Sequence, residues 1–318
     1  MTKIPSTLRR RLLQTSFGGL VGGMFVLAMP FAAHAADTQG FQISPPVTTL
    51  SLDRGTSTQG TMKVTNLTGQ QMTLAVGKTD FGATGENGQT MLEPTGDPLY
   101  SLDPYFTLGA STVTVPPDGT ESVNYTIAIP LNAEPGGRYG AITFDTIPGP
   151  LPNGESGAAV KQELAGLILL RINGPTHEQL AVASFTTDKS FYEYGPVNFT
   201  VRVKNDGNVH EKPTGQIVVK DMLGLTTAKL TVPSQYVLPD AIRRLSAELN
   251  KHLLFGRYTA TLTLQNGSIQ TLTAVVGFTV IPWKLLLVIF VILLLIWLFL
   301  WKSRKRFGRA FRILAGKE

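Results

Sequence analysis

Apolar and polar residues alternate with a period of two along most of this chain, until an unbroken apolar run replaces the alternation near the C-terminal end. Alternation of this kind predicts strands with one buried face. Gln59 to Asn66 places Met62 and Val64 on one side, and after a turn at Asn66-Leu67-Thr68-Gly69 the segment Gln71 to Phe81 continues with Met72, Leu74 and Val76. Val113 to Val115, the turn Pro116-Pro117-Asp118-Gly119 and Glu121 to Ile129 follow, the last with Val123, Tyr125, Ile127 and Ile129 in register. Pro135-Gly136-Gly137 leads into Arg138 to Asp145, and Val160 to Ile172 predicts a long strand. No stretch from 37 to 175 shows a convincing 3.6-residue period. Short strands between Gly/Pro turns predict a sandwich.

A second unit of the same kind begins near Leu180. Phe191 to Gly195 leads into Val197 to Val203, then a turn at Lys204 to Asn208, a strand Gly215 to Asp221 and a turn at Met222-Leu223-Gly224. Arg243 to Leu249, Gly256 to Leu264 and Ser268 to Val280 complete about seven strands in about a hundred residues, the size of one immunoglobulin-type sandwich. Two stretches resist the pattern. Pro148 to Gly157 (PGPLPNGESG) is expected to be a hairpin tip, with a linker as the alternative, because Ala141 to Asp145 and Leu164 to Leu170 look like sheet partners. Asp80 to Pro104, rich in Gly and Pro, is expected to be irregular: a binding loop or a connector between sheets.

Leu285 to Trp301 (LLLVIFVILLLIWLFLW) has no charge, Gly or Pro. With Trp283 and Lys284 as a collar, it predicts a helix of about 28 Å at about 1.5 Å per residue, which spans a hydrocarbon core of about 30 Å. Trp283 at one end, and Trp297 and Trp301 at the other, occupy interfacial positions, and Lys302, Arg304, Lys305 and Arg306 close the run. The positive-inside rule then puts the tail in the cytoplasm. At the other end, Arg9-Arg10-Arg11, the apolar stretch Phe17 to Phe31 and Ala33-His34-Ala35 predict an export signal cleaved between Ala35 and Ala36.

Charge has to be read after these segments are set aside. The chain is formally +6, but the signal holds four basic residues and 282–318 holds eight against one acid, which leaves the segment between them at −5. Basic balance therefore sits at the membrane-flanking ends, where it suits anionic lipid and not nucleic acid. The chain has no Cys, so thiol catalysis, thiolate metal sites and disulfides are excluded.

Candidate chemistry is sparse. His177, His210 and His252 lack metal-ligand spacing, and Gly154-Glu155-Ser156-Gly157 is a loop tip, not a nucleophile elbow. Asp80, Glu86 and Asn87 lack the regular oxygen spacing of a calcium loop. Asn66, Asn124, Asn198 and Asn266 each begin an N-x-Ser/Thr triplet, a pattern that Thr-rich strands generate by chance. In the tail, Phe307, Phe311 and Leu314 recur at helical spacing among Arg304, Lys305, Arg306, Arg309 and Arg312, as in a short helix lying on lipid or a plain stop-transfer anchor. No catalytic, cofactor-binding or metal-binding residue is assigned.

The first unit carries Leu50-Ser-Leu-Asp-Arg-Gly55, Val64-Thr-Asn66, Ser101-Leu-Asp-Pro-Tyr-Phe106, Val113 to Gly119 and Pro130-Leu-Asn-Ala-Glu-Pro-Gly-Gly-Arg-Tyr-Gly140. In these motifs it resembles the bacterial surface-protein family associated with WxL proteins. The second unit, with Asn205-Asp-Gly-Asn-Val-His210, Pro213-Thr-Gly215 and Leu238-Pro-Asp-Ala-Ile-Arg243, is similar to membrane-proximal immunoglobulin-like modules of bacterial surface proteins. The resemblance implies a peptidoglycan-binding-type first domain but fixes no ligand residue.

The expected architecture is therefore all-β: a signal (1–35), two tandem immunoglobulin-like β-sandwiches (36–176 and 177–281), one transmembrane helix (283–301) and a basic cytoplasmic tail (302–318). The expected function is that of a non-enzymatic type I membrane protein of a cell envelope whose ectodomain binds a wall polymer such as peptidoglycan, or another surface protein. The alternative is a chaperone-like or assembly subunit that binds its partner by β-strand addition.

Overall fold

The computed structural model describes residues 40–93, 97–147, 161–267 and 270–314. The export signal with its Ala35/Ala36 cleavage point, the 148–157 stretch with Ser156, and the last four residues lie outside the described residues.

Ten strands build the first sandwich: β1 (Phe41–Ser44), β2 (Val47–Leu52), β3 (Ser57–Asn66), β4 (Met72–Thr84), β5 (Gln89–Glu93), β6 (Phe106–Leu108), β7 (Thr112–Val115), β8 (Thr120–Ala128), β9 (Gly136–Thr146) and β10 (Glu163–Ile172). One sheet runs β1-β3-β8-β6, and the other runs β2-β10-β9-β4-β5 with β7 also on β4. The alternation seen in sequence becomes the core: Met62, Val64, Val123 and Ile127 from one sheet meet Leu74, Ile142, Phe144, Ile168 and Leu170 from the other. β9 and β10 pair antiparallel, Asp145 opposite Glu163, as expected of the two arms of a hairpin.

The second sandwich contains β11 (Leu180–Thr187), β12 (Phe191–Tyr192), β13 (Val197–Asn205), β14 (Thr214–Asp221), β15 (Thr226–Val232), β16 (Ile242–Leu249), β17 (Gly256–Asn266) and β18 (Gln270–Val280). Its sheets run β11-β13-β16 and β12-β18-β17-β14-β15. Phe199 fills the middle, stacked on Phe185 and edge-on to Phe278. The chain is thus all-β, two immunoglobulin-like sandwiches followed by one apolar helix.

Some elements depart from the sequence reading. Asp80 to Pro104 is not irregular throughout. Its first half is the β4–β5 hairpin, Asp80 opposite Glu93 and Thr84 opposite Gln89; Gly82 pairs with Met91 within it, and Gly85 and Gly88 are turn residues with φ of 61° and 80°. The Asp80 carboxylate, buried, accepts hydrogen bonds from the Ser101 hydroxyl and from the backbone N–H groups of Leu102 and Asp103. β15 has no counterpart among the strands expected from sequence, although Ala228, Leu230 and Val232 alternate with Lys229 and Thr231; it is an edge strand, and its exposed Thr226, Lys229 and Thr231 suit that position.

Two buried asparagines reveal a kinship between the sandwiches. Asn66 ends β3, donating from Nδ2 to the carbonyls of Gln70 and Pro116 while its Oδ1 accepts from the Thr68 N–H. Asn205 ends β13 and does the same for Val209, Val237 and the Gly207 N–H. Each closes its own turn, which crosses from one sheet to the other, and ties it to a second connection that crosses back. Asn66 and Asn266 are buried, so a sugar could not be accommodated at either in the folded chain.

Only Ile281 and Pro282 separate β18 from α1 (Trp283–Leu314). The stretch Trp283–Lys302 is long and apolar enough to cross a membrane, and none of it is buried inside the protein. The helix does not stop at Lys302, where the apolar run ends, but continues to Leu314. Lys and Arg are good helix formers, and cations near a helix C-terminus favour its dipole.

Candidate functional site

β10 carries the sequence Leu-Ala-Gly-Leu-Ile-Leu-Leu, apolar on both faces. Ile168 and Leu170 point into the first core, so Leu167 and Leu169 must point out of the sandwich. Such a two-faced strand needs cover on its second side. Tyr139 and Ala141 of β9 and Phe81 of β4 extend this outer apolar face, and Tyr236 and Leu238 from the β15–β16 connection of the second sandwich pack onto it. The cover is incomplete. Between the outer face and the connection lies a cleft of about 320 Å³, floored by Val47, Phe81, Leu167 and Leu169 and walled by residues from Ser234 to Arg243.

Two cations stand at this cleft. Lys212 Nζ lies 4.8 Å from the centre of the Tyr236 ring, and Arg243 donates from Nε to Gln235 Oε1 at 2.9 Å. Burial lowers the pKa of the Arg243 guanidinium. A Cβ placed on Gly88 would stand 1.3 Å from Arg243 Nη1, so the glycine is what admits the guanidinium against the β4–β5 turn. Among the described residues, the lining holds no Asp, Glu or His. The arrangement therefore favours an apolar ligand carrying an anionic group.

The walls are held at a fixed separation. At the tip of the β4–β5 hairpin, the Glu86 carboxylate accepts from Arg202 Nε at 2.8 Å and from Arg244 Nη2 at 3.4 Å, while the Arg244 N–H donates to the Glu86 carbonyl at 2.7 Å. The hydrogen bond from Arg202 leads in holding the Glu86 pKa below its ordinary value. Tyr100 Oη donates to Asp240 Oδ2 at 3.1 Å, and burial together with this carboxylate pushes the phenol up to about 12. The Gly137 N–H donates to the Asn208 carbonyl at 2.8 Å. Removing the Glu86 side chain (Glu86→Ala) should accelerate hydrogen exchange of the Arg244 amide by about tenfold, a local opening that leaves amides of β13 and β17 protected; unchanged exchange at Arg244 would show that the hairpin does not depend on this carboxylate.

Behind the cleft, His210 packs edge-on between Tyr139 and Tyr236, with ring centres 5.7 and 5.6 Å away. Burial, then the nearby Arg171, lowers its pKa to about 4, whereas burial and Glu178 raise neighbouring Glu211 to about 6. These shifts have opposite consequences for stability. His210 contributes stability that is lost as pH falls from about 6.5 towards 4. Glu211 prefers its proton in the folded state, so stability is lost as pH rises from about 4.5 through 6. Glu211→Gln is expected to stabilise by about 1–2 kcal/mol above pH 6 and by less than about 0.5 kcal/mol near pH 4.5, where the unfolded carboxyl is half ionised. Thermal melts across pH 4.5–7.5 check this; a stabilisation of equal size at both ends would rule out the charge as its origin.

The residues singled out in sequence scatter. His177 Nε2 lies 2.9 Å from Gln179 Oε1 near the join, and His252 is exposed in a loop. Asp80 and Glu86 serve separate structural bonds rather than one ion site. The cleft residues Val47, Leu167, Leu169, Lys212, Tyr236 and Arg243 were not anticipated. The one available signal was the double-sided apolarity of β10.

No protein-family model matches the chain, and no curated protein matches it. Among solved structures, the chain is similar to the class 5 fimbriae chaperone CfaA, with 14% identity and a TM-score of 0.40 over 74% of this chain and 98% of that one. It is also similar to the YadV chaperone (8%, 0.37, over 75% and 99%) and to the CupB2 chaperone of Pseudomonas aeruginosa (10%, 0.34, over 73% and 97%). At such identities and scores the likeness carries no conclusion about this chain.

Proposed function

We propose that the chain is a membrane-anchored binding protein of a bacterial envelope, with its sandwiches outside, α1 as its single span and its basic tail in the cytoplasm. Its ligand is an extended segment of another surface protein. The observation that carries this reading is the apolar cleft beside a free strand edge. β2 ends the six-stranded sheet, pairs only with β10 among the described residues, and contributes Val47 to the cleft floor. A segment that adds to β2 gains main-chain hydrogen bonds along the edge and places alternate side chains on the cleft side of the sheet, beside Val47 and towards Leu167. A carboxylate on that segment would meet Lys212 and Arg243.

Binding without chemistry suits a lining that, among the described residues, holds no Asp, Glu or His. Peptidoglycan, the ligand implied by the likeness to WxL-associated proteins, is a weaker fit to this floor, because glycan hydroxyls set against Val, Leu and Phe lose hydrogen bonds to water without replacement. The test places a photo-crosslinking amino acid at position 167 of the membrane-embedded chain and sequences the adduct. One polypeptide segment with alternating apolar residues and an acid supports the reading. No adduct, together with saturable sedimentation on isolated peptidoglycan, would transfer the function to the wall polymer.

A further inference from the structure

The end of the second sandwich from which α1 departs carries loops that a soluble surface does not need. In the five-stranded sheet, Asp221 at the end of β14 lies opposite Tyr258, Gly256 opposite Val280, and Tyr192 of β12 opposite Val280. The β14–β15 turn, the β16–β17 loop and β12 therefore gather around the exit of the helix. Their tips are apolar: Met222, Leu223 and Leu225 on the first, Leu253 and Phe255 on the second, and Phe191 on the third, with Leu223 and Leu253 each 78% exposed. The first two loops touch, since a Cβ on Gly256 would stand 2.1 Å from Met222 Cε, and Lys251 Nζ donates to the Thr227 carbonyl at 2.7 Å.

Exposed apolar side chains gathered in one patch call for a partner, and the chain itself indicates which one. Two residues after β18 the backbone enters the apolar helix, and Lys284 Nζ pairs with Glu193 Oε2 at 2.9 Å, fastening the β12–β13 connection to the first turn of α1. Trp283 marks the same level as an interfacial aromatic. The loop backbones are prepared for a medium poor in water. Asp221 Oδ1 accepts from the N–H groups of Leu223 and Leu225, and its carbonyl accepts from Gly224, so three amides at the tip of the turn are satisfied internally. In the second loop, the Phe255 N–H lies 3.1 Å from Tyr258 Oη.

From these features we infer that the membrane-proximal end of the second sandwich is a lipid-binding foot. Its β14–β15 and β16–β17 loops insert their apolar tips between the headgroups of the membrane that α1 crosses, which holds the ectodomain at a fixed height and tilt. This rests on the reading of α1 as a span, and the test separates the two. Because the chain has no cysteine, single-cysteine variants of the full chain can be labelled with an environment-sensitive fluorophore and reconstituted in phosphatidylcholine–phosphatidylglycerol vesicles containing spin-labelled lipid. Leu293→Cys reports the span, Leu223→Cys and Leu253→Cys the foot, and Thr231→Cys the far end of the β14–β15 hairpin. Labels at 223 and 253 should be quenched by headgroup-level spin labels about threefold or more relative to 231, with 293 quenched by deep spin labels. Quenching at 293 with 223 and 253 no different from 231 overturns the foot and leaves the span intact. Absence of quenching at 293 overturns both.

Discussion

Asn205→Ala is expected to destabilise the protein by about 3 kcal/mol, a larger effect than its small change in volume would suggest. The side chain is fully buried, donates to the carbonyls of Val209 and Val237 at 2.7 and 2.9 Å, and accepts from the Gly207 N–H at 2.9 Å. Alanine leaves the Val209 carbonyl and the Gly207 N–H without a partner, each costing on the order of 1.5 kcal/mol, while the Val237 carbonyl keeps the Glu211 N–H at 3.0 Å. Asn205→Asp separates hydrogen bonding from size. It keeps the acceptor for Gly207 but turns a carboxylate oxygen towards two carbonyls, so at neutral pH it should be worse than alanine and should recover as the acid is protonated. Chemical denaturation at pH 4.5 and 7.5 checks both variants; an Asp variant as stable as the parent at pH 7.5 would refute the assignment of the donating nitrogen. The consequences reach the cleft, because Val237 lies in its wall and the backbone of Asn205 also bonds Asp240 and Ala241 of the same connection.

How much of this was legible in sequence depends on the range of the interaction. Strands whose faces differ, such as Met62/Val64 in β3 and Val197 to Val203 in β13, announce themselves because burial on one side imposes a period of two. β2 was hidden by Pro45-Pro46 and its threonines, and β15 shows its alternation only over the short run Ala228, Leu230 and Val232. Asn66 and Asn205 could be read as turn residues, but not as ties to loops fifty and thirty-two positions away. The apolar run of β10 recorded a second covered face without saying what covered it. That cover, Tyr236 and Leu238, belongs to a loop of the other sandwich, and its placement depends on contacts such as Glu86 with Arg202, 116 residues apart. The Met222-Leu223-Gly224 turn was legible as a turn, while its exposure beside the helix exit depended on the register of β14, β17 and β18.

The cleft makes the second large prediction. Once the crosslinked partner segment is in hand as a synthetic peptide, Leu167→Glu should weaken its binding by about a hundredfold, and Arg243→Gln by about tenfold to a hundredfold, the range expected for one charge-assisted pair. Leu167 is only partly buried, so a carboxylate there can reach water and the sandwich stays folded, yet it sets a negative charge on an apolar floor facing an acidic ligand. Arg243→Gln keeps a shorter hydrogen-bonding side chain and removes the charge, and its loss should shrink as salt rises if the ligand's anion is its partner. Gly88→Ala offers an independent route to the same end. It leaves Arg243 in the sequence but denies it the space against the β4–β5 turn, so peptide binding should fall towards the Arg243→Gln value while Lys212 is untouched. Titration of the labelled peptide against all three variants, each with a melting curve, decides the matter. If folded Leu167→Glu binds the peptide as the parent does, the segment does not lie in the cleft, and the free edge of β2 would have to hold it by main-chain pairing alone.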